Sequence, residues 1–376
     1  MLLKEIVGQT EIKQRLLHMY ADNRVPHAML FAGPEGCGAL PLAVAFAQYI
    51  CCTGNKSHGD SCGECPSCLK FKKLAHPDFH QVFPIVNTSS TSTVSDDLLP
   101  KWREMFAAHT YFSAQQWFDF IGGKKQGIIG TSEAANIHKK LRLTPYESEK
   151  QVMLIWEPEL MNESTSNKIL KILEEPPTNT IFILVSENFG AIIPTILSRV
   201  QRINMSPIDD DSMYAYVKER YNLPDDKAQR AVHVSMGNVC RLESIVTADE
   251  SSRRNFEFFK NLMRSAYTSN VPKIEACVES LRSQSPETIK SMITYSIHML
   301  RESFMYNLDN AHLSYMTDEE EEFVRKFAQF VHVGNYIQLY NFLNSGLAEI
   351  EQNGSVRIIM TDLMLSMAGY LRMPRP

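Results

Sequence analysis

An α/β domain built on a parallel sheet, followed by a C-terminal part made of helices alone, is the fold class the sequence predicts. Three observations carry it. The apolar run Ala28-Met29-Leu30-Phe31-Ala32 passes through a glycine-rich turn, Gly33-Pro34-Glu35-Gly36-Cys37-Gly38-Ala39-Leu40, into a helical stretch at 41–50. Strand, glycine loop and helix in that order are the setting of a phosphate-binding loop. Apolar strand-like runs then alternate with helical periodicity as far as residue 206, the pattern of a parallel sheet covered on both faces. From Pro207 onward only helical spacing is found.

At 376 residues the chain has room for two or three domains. Its 44% hydrophobic and 22% charged residues are those of a soluble globular protein. No run of 18 apolar residues occurs, so no membrane span is expected. The start, Met1 to Gln9, has an early acid at Glu5 and too short an apolar stretch for a signal peptide, which makes a cytoplasmic location the expectation. A net charge of −5 argues against a general nucleic-acid coat and leaves room for a local basic face. Eight cysteines in such a chain point to metal binding or free thiols rather than disulfides.

Taken in order, the elements begin with a helix at 10–21, where Ile12, Leu16, Leu17 and Tyr20 recur at helical spacing. The strand, glycine loop and helix follow. Gly33 and Gly38 hold the two glycine positions of G-x-x-x-x-G-K-[ST], but Ala39 stands where lysine would neutralise phosphate and Leu40 where a hydroxyl would hold magnesium. Gly33, Gly36 and Gly38 are the candidate nucleotide-binding residues, because a backbone cradle needs only amides and glycines. Hydrolysis is not expected, ATP binding is doubtful, and an ordinary glycine turn is the competing reading.

Cys52, Cys62, Cys65 and Cys68 come next, three of them as C-x2-C-x2-C with the fourth ten positions upstream. Four thiolates can surround one tetrahedral zinc at about 2.3 Å, and a four-cysteine shell has no open position, so the zinc would be structural. Cys51 is the alternative fourth ligand, and His58 is disfavoured because four sulfurs fill the shell. The expected module spans 50–70.

A second strand is predicted at 79–84, a Ser/Thr-rich loop at 87–95 and a helical insertion within 98–120. Trp102, Phe106, Tyr111, Phe112, Trp117 and Phe120 would pack that insertion internally, or else form a partner-binding patch. A helix at 132–142 leads to the strand 151–156. That strand ends in Trp156, where a P-loop ATPase carries a magnesium-orienting aspartate. Glu157 reads as a helix-entry acid or a residual base. A helix at 163–175 stops at Pro176-Pro177. The strand 180–185 runs into Ser186-Glu187-Asn188, where open α/β sheets place ligand-contacting residues. A short helix at 192–197, the pair Ser198-Arg199 and a last strand at 200–203 complete the domain. Helices are then predicted at 209–221, 225–234 and 238–246, and after a charged stretch at 249–254 come longer ones at about 253–268, 271–284, 286–308, 317–330, 334–352 and 355–371. The acidic run 318–322 reads as a solvated helix start, and the sequon Asn353-Gly354-Ser355 as a helix-breaking turn.

Val7-Gly8-Gln9, His27-Ala28, the four-cysteine insertion, Asn167-Lys168-Ile169-Leu170-Lys171-Ile172-Leu173-Glu174-Glu175-Pro176-Pro177 and Ser198-Arg199-Val200 together resemble the clamp-loader branch of the AAA+ ATPases. The string ending in Glu-Glu-Pro-Pro is the most specific part, and the match covers roughly 5–84 and 130–245. The resemblance implies an AAA+ α/β domain over 1–206 with the zinc module and an insertion at about 86–128, a small helical lid at 207–248 and a helical collar at 249–376. Within the family, the ATP-hydrolysing gamma/tau motor keeps its phosphate-loop Lys-Thr, an Asp-Glu pair and a nucleotide-touching arginine in the lid. Here those places hold Ala39-Leu40, Trp156-Glu157 and Cys240, with Arg241 available if the alignment shifts by one.

The losses imply a non-hydrolysing stator subunit of the bacterial DNA polymerase III clamp loader. Such subunits carry Ser-Arg-Cys. Ser198-Arg199 is kept, with Val200 in place of the cysteine. Arg199, with Ser198, would be catalytic in trans, reaching ATP on a neighbouring subunit. Partners implied are the gamma/tau ATPase subunits, a delta subunit, the sliding clamp and, through the assembly, primer–template DNA. Lys168 and Lys171 are candidate phosphate contacts that also fit a solvated helix face. The rival readings are a gamma/tau-like motor with an atypical loop and an unrelated zinc-dependent DNA-binding protein.

Overall fold

The computed structural model describes the chain apart from residues 57–58, 87–93, 123–126, 248–249, 269–270, 282–283, 309–315, 353 and 376. His58, Asn353, Asp249 and most of the Ser/Thr-rich loop therefore lie outside the described residues. The chain forms two compact units, one of Met1–Gly123, Gly127–Asn222 and Gly237–Cys240, the other chiefly of Leu223–Met236 and Arg241–Pro376. Among the described residues no helix is long and apolar enough to cross a membrane.

The first unit holds one parallel sheet of β1 (Ala28–Ala32), β2 (Phe79–Val82), β3 (Gln151–Trp156), β4 (Thr180–Ser186) and β5 (Gln201–Asn204), in the order β2-β3-β4-β1-β5. Leu30 of β1 lies opposite Leu184 of β4 and Arg202 of β5, and Leu154 of β3 lies opposite Ile183. β1, β3 and β4 are buried along their whole length, as strands covered on both faces must be. β2 ends short of the expected 79–84, because Pro84 has no N–H to extend a ladder.

The period of two sends alternate residues to opposite faces. Met29, Phe31, Leu154, Trp156 and Ile183 pack on the helix α2 (Ala39–Cys51), all thirteen residues of which are buried. Ala28, Leu30, Met153, Phe182 and Leu184 pack on the opposite side, in a core shared with Ile137, Leu141, Ile169 and Leu173. Before the sheet comes α1 (Thr10–Ala21), and after α2 come α3 (Pro66–Lys72), α4 (Leu99–Ala108) and α5 (Ala114–Ile121).

The aromatic segment does not stand apart from the domain. Trp102 of α4 stacks on Phe83 at 4.2 Å and approaches Trp117 of α5 at 5.1 Å and Trp156 at 5.2 Å. Both indoles make polar contacts as buried rings require, Trp102 Nε1 to Gln81 Oε1 at 2.8 Å and Trp117 Nε1 to the Pro84 carbonyl at 2.9 Å. These rings join the same core as α2.

α6 (Thr131–Leu141), α7 (Glu163–Glu174) and α8 (Pro194–Leu197) complete the α/β layers. Asn162 caps α7 by accepting from Thr165 N at 2.8 Å, and Pro176-Pro177 prevents its continuation. α9 (Asp210–Tyr221), capped by Asp209, also belongs to the first unit.

The second unit contains α10 (Asp225–Ser235), most of α11 (Val239–Thr247), α12 (Glu250–Thr268), α13 (Val271–Ser280), α14 (Pro286–Tyr306), α15 (Asp318–Phe327), α16 (Tyr336–Glu351) and α17 (Val356–Leu371). The helices from α12 to α17 share one apolar core. Thr317 and Glu320 form a capping box at α15, so the acidic run is a helix start with a physical role. Buried Asn335 accepts from His332 N at 2.8 Å and donates to the Phe330 and Tyr370 carbonyls at 2.9 and 3.1 Å, tying the entry of α16 to α17.

Candidate functional site

The glycine loop leaves the C-terminal end of β1 between the ends of β4 and β5. Gly33 N donates to the Ser186 carbonyl at 3.3 Å, and Met205 N donates to the Ala32 carbonyl at 2.8 Å. Gly36 and Gly38 have φ of +71° and +86°, conformations that favour glycine, so the loop keeps the backbone of its type. Its surroundings do not suit phosphate. Helix α2 already begins at Ala39, and Ala39 and Leu40 belong to the core, so neither offers a group to an anion or a metal. Cys37 is buried, and burial pushes its thiol up to about 12. Asn238 covers the loop: a Cβ on Gly36 would fall 1.9 Å from its Oδ1. Val239 N donates to the Gly36 carbonyl at 3.1 Å, and Asn238 Nδ2 donates to Glu35 Oε1 at 3.2 Å.

The strand ends around the loop gather carboxyl groups. Glu157, the residue after β3, is 5% exposed, and its Oε1 has no hydrogen-bond partner among the described residues. Burial, then Glu187, Glu159 and Glu35, raise its carboxyl well above the ordinary range. Glu187 after β4 is raised by burial, Glu35 and Glu159. Glu159 accepts from Ser186 Oγ at 2.7 Å and Asn188 N at 2.9 Å. Four carboxyl groups within electrostatic reach of one another, two of them pushed toward the neutral form, thus gather at the edge where a nucleotide triphosphate would bring negative charge. The sequence marked Glu157 and the 186–188 turn, but not this convergence.

Arg199 follows α8, with its side chain 32% exposed. Its Nε donates to Glu174 Oε1 of α7 at 2.7 Å, and its Nη2 pairs with the same oxygen. Its Nη1 donates to the Thr195 carbonyl at 2.7 Å and to Ser198 Oγ at 3.1 Å. Ser198 Oγ in turn donates to the Thr195 carbonyl at 3.1 Å, so Ser198 braces the guanidinium. Glu174 is a functional candidate that the sequence reading did not single out. Arg241, the alternative lid arginine, has Nη2 2.8 Å from His298 Nε2 of α14 in the second unit, and Cys240 is buried. Lys168 and Lys171 line an open groove with His138, Glu163, Ser164 and Asn167.

Cys52, Cys62, Cys65 and Cys68 come together with all four sulfurs within 4.8 Å of one another. Measured separations are 3.6 Å for Cys52–Cys62, 3.9 Å for Cys52–Cys65 and 3.9 Å for Cys62–Cys68. A tetrahedron with metal–sulfur bonds of about 2.3 Å has edges of about 3.8 Å, so the residues fit one metal ion. Burial works against a thiolate at Cys65, but donation from Cys68 N at 3.4 Å and contacts with Thr53 outweigh it and bring the thiol to about 5. Cys51 faces away, its Sγ 3.7 Å from the Lys150 carbonyl, which leaves Cys52 as the fourth member. Helix α3, absent from the sequence reading, starts at Pro66 inside the cluster, and Ser67 Oγ donates to the Cys51 carbonyl at 2.8 Å, fastening the module to the end of α2.

A family model described as DNA polymerase III, delta subunit, matches residues 8–209. The DNA polymerase III subunit delta' of Haemophilus influenzae is 25% identical over 232 residues, 61% of this chain and 58% of that protein. The delta' subunit of Bacillus subtilis is 26% identical over 201 residues, 53% of this chain and 48% of that one. The tau subunit of Bacillus subtilis is 25% identical over 210 residues, 56% of this chain and 30% of that one. The chain spans about half the length of the delta' relatives it matches.

Proposed function

The chain belongs to the DNA polymerase III delta-subunit family and is delta-prime-like, and on that premise we propose that it is a non-hydrolysing stator of a clamp loader. It supplies Arg199 in trans to the ATP site of a neighbouring gamma/tau subunit, and with a delta subunit it helps place the sliding clamp on primer–template DNA. The observation that carries the reading is a contrast within one domain. The chain's own phosphate loop is covered by Asn238 and ringed by carboxyl groups, whereas Ser198-Arg199 is intact and reaches the surface. A guanidinium brought to a γ-phosphate from outside is worth about 10³–10⁵ in rate.

In this reading the AAA+ domain, lid and collar span 1–206, 207–248 and 249–376, a functional division distinct from the two compact units, which part within the lid, and the C-terminal helices serve as the oligomerising collar. The four-cysteine module holds zinc, which supplies no reaction and only cross-links the loop between α2 and β2. A motor with an atypical loop is disfavoured by the core positions of Ala39 and Leu40. A free-standing zinc-dependent DNA-binding role is disfavoured by the attachment of the module to α2.

The test is clamp- and DNA-stimulated ATP turnover of the complex assembled with its ATPase and delta partners. Arg199→Ala is expected to lower turnover at the site it completes by about 10³ or more, with assembly intact. Unchanged turnover would leave Arg199 without a role in hydrolysis.

A further inference from the structure

Arg199 is engaged by its own chain. A guanidinium has five N–H donors. Nε, both Nη1 hydrogens and one Nη2 hydrogen are directed at Glu174, the Thr195 carbonyl and Ser198 Oγ. Thr195 and Ser198 belong to the same turn as Arg199 and move with it. Glu174 does not. It is the last residue of α7, a separate element, and among these partners it alone carries charge. A carboxylate on the guanidinium cancels the positive charge that a γ-phosphate would use, and it occupies the Nε–Nη2 edge from which arginine grips phosphate with two bonds.

We propose that Glu174 is a positioning residue that parks Arg199 on α7 and keeps the neighbour's ATP site incomplete until the neighbour's phosphate takes its place. The proposal rests on the arginine-finger reading above. The pair is suited to exchange. Both side chains are partly exposed, 32% for Arg199 and 46% for Glu174. An exposed pair of this kind shifts an equilibrium by only about two- to fivefold. It can bias the resting position of the arginine without outlasting a phosphate.

The experiment measures ATP turnover by the assembled complex without clamp or DNA, as kcat and KM, for the native chain, Glu174→Gln, Arg199→Ala and the double variant. Glu174→Gln is expected to raise resting kcat about two- to fivefold. The double variant is expected to match Arg199→Ala. In the isolated full-length chain, phenylglyoxal should modify Arg199 of Glu174→Gln faster by a similar factor, read by peptide mass spectrometry. If Arg199→Ala lowers turnover while Glu174→Gln leaves it unchanged or lowers it, the arginine finger stands and the lock is wrong. A rise that survives in the double variant also overturns the lock, since it would not act through Arg199. If Arg199→Ala changes nothing, the finger reading fails and the lock fails with it.

Discussion

Glu157 places an acid where water scarcely reaches it. It sits in left-handed backbone at φ 53°, buried, with one carboxyl oxygen unpaired among the described residues. Burial and the neighbouring Glu187 and Glu159 raise its pKa in the folded chain well above the ordinary 4.5. A raised carboxyl contributes its stability in full below the unfolded value and loses it as pH rises through the folded value. Glu157→Gln should therefore be close to native in stability below about pH 4.5 and gain on the native chain as pH rises. Urea melts at pH 4.5 and pH 8 check this, and a constant difference between the two proteins would contradict it. The losses at Ala39, Leu40 and Trp156 were legible because a motif fixes which residue each place requires. Asn238 over Gly36 and Glu174 on Arg199 were not. The first pair is some two hundred positions apart in the chain, and no spacing rule encodes contacts between surface polar groups.

Among the elements, the strands and long helices followed directly from apolar periodicity. The aromatic segment and α3 show where periodicity stops informing. Helices α4 and α5 were expected as an insertion packed by its own rings. Their aromatics do pack on one another, Trp102 with Phe106, Phe112 and Trp117, and they also pack on Phe83, just after β2, and on Trp156 of β3, because a strand-end tryptophan offers apolar surface where an aspartate would offer none. Helix α3 is seven residues long and takes shape around sulfurs, too short for a periodic signal. Its stability is expected to depend on the metal. Cys65→Ser should lose the bound ion in native mass spectrometry and lower the melting temperature by at least about 5 °C, the direction that follows when metal binding is coupled to folding. Retention of the ion with unchanged melting would show that Cys65 is dispensable.

At the scale of the whole molecule, the sequence separated an α/β part from an all-helical part. The structure gives each its own apolar core, one divided by the sheet and the other enclosed by α12 to α17. The tryptophan cluster makes this division visible to light. The chain has three tryptophans, Trp102, Trp117 and Trp156, and all three belong to the first unit. Trp102 lies 5.1 Å from one of the others and 5.2 Å from the second, close enough for excitation to pass among the rings before emission. Under excitation that selects tryptophan over tyrosine, the emission therefore comes from the cluster at the end of β3, and the helical unit, which has tyrosines but no tryptophan, does not contribute. Emission should follow the opening of the α/β unit alone, while far-ultraviolet circular dichroism follows the helices of both. The two denaturation curves are expected to part, and superimposable curves would mean that the units unfold as one.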